Sequence, residues 1–230
     1  MTAPAVSRRP TRLSSVLAVA MGVATVWLLF DVSGFRTALL FEVVGLAVFG
    51  VGAELRANGW SWTGLAVALA GLAVVPVAML LGVQRLPGSG SVIQAVPGLL
   101  GVAVLALGVF PLRDEDGSRR LVKAGAAFLF VNVLVGGIFQ VAPLGTMLAA
   151  GAATVLAWDA GEQAINVSEH LGRAGRTWTV ETAHAGGTLF AGGVAVLAGQ
   201  SVGDLGGSLT LAQFALLVVA VILLTVALHD

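Results

Sequence analysis

Long apolar runs follow one another along this chain, with only short polar breaks between them. A helix crossing the hydrocarbon core of a bilayer needs about 20 apolar residues, within a range of about 17–25. The runs that meet this length are Leu13–Phe30, Phe35–Ala53, Trp60–Gly82, Val92–Leu112, Leu121–Phe139, Ala142–Trp158, Ala183–Gln200 and Leu209–His229. Lipid offers the backbone no hydrogen-bond partner, so segments of this length must satisfy themselves as helices. The expected fold is therefore all-α, a polytopic transmembrane helical bundle of about eight spans. Breaks such as Asp31-Val32-Ser33-Gly34, Arg56-Ala57-Asn58-Gly59 and Pro87-Gly88-Ser89-Gly90 supply the turn residues that short connections require.

Composition agrees with a lipid-facing surface. Charged residues make up 10% of the chain and hydrophobic ones 57%, whereas a soluble domain carries about 25% charged residues. One membrane domain over residues 13–230 is expected, preceded by a basic segment at 1–12, with no soluble domain. Zero net charge leaves no basic field for nucleic acid. The absence of cysteine excludes disulfides, thiolate metal sites and cysteine nucleophiles.

Arg8, Arg9 and Arg12 ahead of the first apolar run imitate a secretory signal. The residues that end the run, Trp27 to Asp31, offer no small-residue cleavage site, so the first helix is expected to be retained. Orientation follows from charge, because Lys and Arg concentrate on cytoplasmic loops. With eight spans and a cytoplasmic N-terminus, all of the 12 Lys and Arg residues except Arg36 and Arg85 fall inside. Both termini are then cytoplasmic and the protein is a multi-pass protein of the cell membrane. Small residues at Gly64/Ala68, Gly145/Ala149 and Gly187/Ala191 have the spacing that lets helix backbones approach closely in lipid.

Polar chemistry gathers between Trp158 and His184. At 100° per residue, Asp159, Glu162, Gln163, Asn166, Glu169, His170 and Arg173 share one arc of about 120°. An amphipathic cytoplasmic segment over 159–177, continuous with the sixth span, is expected. Three readings of its polar face stand open. It is a solvated face with a Glu169/Arg173 pair, a docking surface for a protein partner, or a metal or proton site. Glu181-Thr182-Ala183-His184 has the Glu-x-x-His spacing of carboxylate-bridged di-iron bundles. Such a site needs a second copy and two further carboxylates, so Glu181 and His184 are weak metal candidates and no cofactor is expected. Thr177 is placed to cap the following helix.

Glu42 lies within the second span, where a carboxylate is costly and marks a functional site by default. Its bland alternative is a hydrogen-bonded structural group, with Asn132 of the fifth span as a candidate partner. Gln94, Gln140 and Gln213 sit near span ends and are expected at the membrane interface. Phosphate-loop, nucleophile-elbow and His-Glu-x-x-His motifs are absent.

The stretch Trp158-Asp159-Ala160-Gly161-Glu162-Gln163, Glu169-His170-Leu171-Gly172-Arg173 and Glu181-Thr182-Ala183-His184-Ala185-Gly186 resembles a family of uncharacterised polytopic membrane proteins of haloarchaea. Members of such families tend to be encoded beside MoxR-type ATPases and other membrane-associated proteins, so the resemblance implies an archaeal source and a role in an envelope assembly, and carries no activity or catalytic residue. The leading expectation is thus a membrane subunit or scaffold docking a cytoplasmic or membrane partner through the 159–173 helix. The alternative is a small-solute or proton-coupled transporter using Glu42, and a metal-dependent enzyme is the least favoured.

Overall fold

A computed structural model describes residues 9–86, 88–112, 117–139, 142–171 and 177–204. These residues form seven helices and no strand: α1 (Arg12–Leu29), α2 (Ser33–Ala57), α3 (Ser61–Gln84), α4 (Gly88–Val109), α5 (Arg119–Ile138), α6 (Leu144–Leu171) and α7 (Trp178–Asp204). The first 5 are long and apolar enough to cross a membrane. The sixth expected span and the segment after it are one helix, α6, whose apolar half reaches only to Trp158 before Asp159 breaks the run. The eighth expected span lies outside the described residues, as do Arg173, Arg176, Gln140 and Gln213.

Turn chemistry at the breaks is local. Gly59 ends the α2–α3 connection at φ 91°, a left-handed conformation in which a Cβ would meet the neighbouring carbonyl. Ser118 caps α5 by accepting from the Leu121 N–H at 3.3 Å.

Three antiparallel helix pairs build the bundle: α2 with α3, α4 with α5, and α1 with α6. Without a hydrophobic drive in lipid, close backbone approach is what holds such pairs together. Between α2 and α3, Gly52 lies against the backbone of Ala68, Gly64 against Arg56, and Gly71 against Phe49 and Gly45. The Gly64/Ala68 spacing therefore serves a real contact. Between α4 and α5, Gly101 and Gly125 oppose each other in the same way. Gly187 behaves differently, since a Cβ there would meet nothing within 4 Å. The expected close approach at Gly187/Ala191 is absent from the described residues, because that face of α7 turns away from α6.

The α1–α6 pair is joined by polar groups instead. The Thr11 N–H donates to the Ala164 carbonyl at 3.0 Å, and the Thr25 and Thr154 hydroxyls lie 3.2 Å apart. Apolar side chains of α1, α2, α4, α5 and α6 then close a common core around Val26, Leu39, Leu99, Leu105 and Leu129. Helix α7 packs chiefly on α6 and leaves Phe190, Val194 and Leu197 exposed.

Candidate functional site

The polar arc of α6 does not face outward as one surface. Arg119, the first residue of α5, spans three positions of it. Its Nη1 donates to Glu162 Oε2 at 2.8 Å, and its Nη2 donates to Asn166 Oδ1 at 2.6 Å and Glu169 Oε2 at 2.7 Å. Residues 162, 166 and 169 recur at one-turn intervals, so one planar guanidinium can meet all three. Asp159 turns toward α7, where its Oδ2 accepts from Thr188 Oγ1 at 3.0 Å and lies 2.8 Å from His184 Nε2.

The solvated reading of this face does not fit Glu162, which is 8% exposed and whose partner comes from another helix. A carboxylate so placed is stabilised only when paired. Glu169 accepts from Arg119; the Arg173 of the expected Glu169/Arg173 pair lies outside the described residues. Glu169 and His170 are exposed, Asp159, Gln163 and Asn166 are partly so, and His170 Nδ1 lies 3.0 Å from the Asn166 carbonyl.

Glu181 and His184 do not converge. Glu181 points at the N-terminus of α1, where Oε2 takes Thr11 Oγ1 at 2.8 Å, the Ser14 N–H at 2.9 Å and Ser14 Oγ at 2.7 Å. Its Oε1 accepts from Thr177 Oγ1 at 2.6 Å. Thr11 is the N-cap of α1 yet makes no side-chain cap of its own. The carboxylate of α7 takes that place, satisfying an orphan N–H where negative charge is favoured. Burial works to raise the Glu181 carboxyl, but the hydrogen bonds from Thr177, Ser14 and Thr11 outweigh it and hold the group below its ordinary value. Among the described residues no three His, Asp or Glu side chains gather as a metal-binding group.

The remaining polar groups lie deep in the bundle. Glu42 is 0% exposed, and neither of its oxygens has a hydrogen-bond partner among the described residues. Asn132 is equally buried with both amide atoms unpartnered, and Gln94 keeps an unpartnered Nε2. Gln94, expected near a span end, lies in the second turn of α4 and is buried within the bundle. Glycine at 98 admits the Asn132 amide against α4, since a Cβ there would stand 3.0 Å from its carbon. Gln94 stands one turn along α4, about 6 Å away. Leu39 and Leu46, one turn to either side of Glu42, belong to the apolar cluster that contains Ala95 and Leu99 of α4. Asn132 does not hydrogen-bond Glu42, so the structural pairing expected for the carboxylate is not made.

Arg119 was not singled out by sequence, because a basic residue at a span end has the ordinary explanation of a cytoplasmic loop. Its position one turn-repeat across from three polar residues depends on how α5 lies on α6. Thr11 and Ser14 carry no signal at all, as hydroxyls at a helix start usually cap their own helix.

No curated protein and no solved structure matches this chain. One family profile does match, over residues 68–225, and so covers Gln94, Asn132, the α6 polar face and Glu181. That stretch is more than half of the chain, and the protein belongs to the family of unknown function DUF7519.

Proposed function

We propose that this membrane protein handles a proton or small cation within the bilayer, with Glu42 as the ionisable group. The observation that carries this reading is the complete burial of Glu42 with both oxygens unpartnered. An isolated carboxylate in an apolar core costs far more than the fold can absorb, so it requires a neutralising proton or cation. Ionisable groups of this kind mark ion pathways and proton relays in membrane proteins. The unpartnered amides of Gln94 and Asn132 add polar atoms that a passing ion or water can engage. The proposed arrangement has eight spans with both termini cytoplasmic, supported by the placement of Lys and Arg.

Glu42→Gln keeps the shape of the side chain and removes its charge. In proteoliposomes carrying an internal pH dye, with imposed Na⁺, K⁺ or proton gradients, wild-type flux is expected and the variant should fall to the protein-free background. Unchanged flux in Glu42→Gln would end the proposal.

Docking of a partner through α6 is the second reading, favoured only by the exposure of Glu169 and His170. The double change Glu162→Ala with Glu169→Ala is expected to lower thermal stability by roughly 2 kcal/mol, since it strips Arg119 of both carboxylates. Release of a copurifying protein at unchanged stability would instead restore docking as the role of this face.

A further inference from the structure

Glu42, Gln94 and Asn132 come from three different helices, yet they lie at neighbouring levels of one half of the bundle. A Cβ on Gly34 would stand 3.1 Å from Arg85 Cβ, and one on Gly90 would stand 3.5 Å from the Phe139 ring. The start of α2, the start of α4 and the end of α5 therefore lie together. At about 1.5 Å per residue, Gln94 is about 9 Å from the Gly88 end of α4. Gly98, which receives the Asn132 amide, is about 15 Å from it, and Glu42 is about 14 Å from the Ser33 end of α2. Further along, α2 meets the other end of α4, where Gly50 lies against the Phe110 ring. Glu42 is halfway between Gly34 and Gly50, and so level with the middle of α4. Asn132 and Glu42 thus share a level, and Gln94 stands between that level and the end of the bundle.

Both Glu42 oxygens, both Asn132 amide atoms and Gln94 Nε2 are buried without a partner among the described residues. An orphaned polar atom at such depth costs about 1–3 kcal/mol, and ordered water is what commonly satisfies it. A metal cation fits this set poorly. Asn132 Nδ2 and Gln94 Nε2 are N–H donors, which bond to water and repel a cation. Cation sites inside membrane bundles draw on unwound backbone carbonyls. Here α2, α4 and α5 pass this level as helices, with their carbonyls bonded within them. Pro97 frees the Ile93 carbonyl alone.

We propose that Gln94 and Asn132 hold ordered water, and that through it Glu42 exchanges a proton, not a metal cation, with the end of the bundle where α2 and α4 begin. The proton's identity rests on the ion-handling reading of Glu42, whereas the water site does not. Glu42 passes its proton to a neighbouring water as that water gives up one of its own along the file. The water is regenerated, the carboxylate takes up the next proton, and no electrons move.

The chain has three asparagines, Asn58, Asn132 and Asn166, so isotope-labelled asparagine isolates the amide in question. In bilayers, nuclear magnetic resonance should show magnetisation passing from water to the Asn132 amide, whose signal is identified by its loss in Asn132→Leu. Gln94→Leu should weaken that transfer, in protein that still elutes as a folded species. In proteoliposomes with an internal pH dye, both leucine variants should slow proton flux about tenfold, equivalent to about 1.4 kcal/mol. Replacing sodium and potassium by choline should leave wild-type flux unchanged. An Asn132 amide that receives nothing from water would overturn the water site. Flux that stops in choline would overturn the proton and assign a metal cation instead. A hydrated Asn132 in a wild type that carries no flux would end the ion-handling reading, and the proton step with it, while the water site stands. Normal flux in both leucine variants, with flux lost in Glu42→Gln, would keep Glu42 as the ion group and remove Gln94 and Asn132 from its path.

Discussion

Gly52→Val is expected to cost more than about 3 kcal/mol and to separate α2 from α3. Adding bulk to a packed interface usually costs about 1–3 kcal/mol, through side chains that shift aside. Here no side chain can give way, because a Cβ on Gly52 would run into the backbone N and Cα of Ala68. Only displacement of a whole helix relieves the clash, and that displacement also opens the Gly45–Gly71 and Gly64–Arg56 approaches on the same seam. The check is the thermal unfolding midpoint in detergent, followed by loss of helical ellipticity. Gly187→Val is the matched control, since open space surrounds that position. Its effect should stay within about 0.5 kcal/mol, as for an ordinary surface change. Equal midpoints for the two variants would mean that α2 and α3 do not approach through their glycines.

Glu181→Ala should rank next, with a loss of about 3 kcal/mol. Four donors converge on this one carboxylate, from Thr11, from the Ser14 N–H and hydroxyl, and from Thr177. Hydrogen bonds to a charged group contribute about 1.5–3 kcal/mol each, without simple additivity, and the Ser14 N–H would be left at a buried helix start. The same group sets a pH dependence. Its folded-state pKa is lowered, so the unfolded chain binds the proton more readily. The stabilisation is therefore fully present above the ordinary carboxylate value of about 4.3, and is lost as pH falls through the lower folded value. Glu181→Gln should flatten that acid limb while leaving the rest of the stability profile parallel. An acid limb that is identical in wild type and Glu181→Gln would assign the dependence to another carboxylate.

Both predictions concern groups that join distant parts of the chain, and neither was legible beforehand as a contact. Gly64/Ala68 was visible as a spacing, but the identical spacing at Gly187/Ala191 has no partner in the described residues. Small residues permit close approach; they do not say which helix arrives. Glu181 was visible as half of a Glu-x-x-His pair, whereas its oxygens are bound to residues 167 and 170 positions away. The periodicity of α6 correctly places Glu162, Asn166 and Glu169 on one face. That this face meets Arg119 rather than water depends on α5 lying along it.

Helix formation, the occurrence of apolar helices long enough to cross a membrane and the burial cost of Glu42 follow from sequence alone. Each follows from a local rule: in lipid the backbone must bond within its own segment, and about 20 apolar residues are needed to cross. Which helices pair and which polar groups satisfy each other were decided only by the tertiary structure. Lipid surrounds every span alike, so hydropathy cannot select a helix's neighbour. That choice rests on backbone approach and hydrogen bonds between residues far apart in the chain.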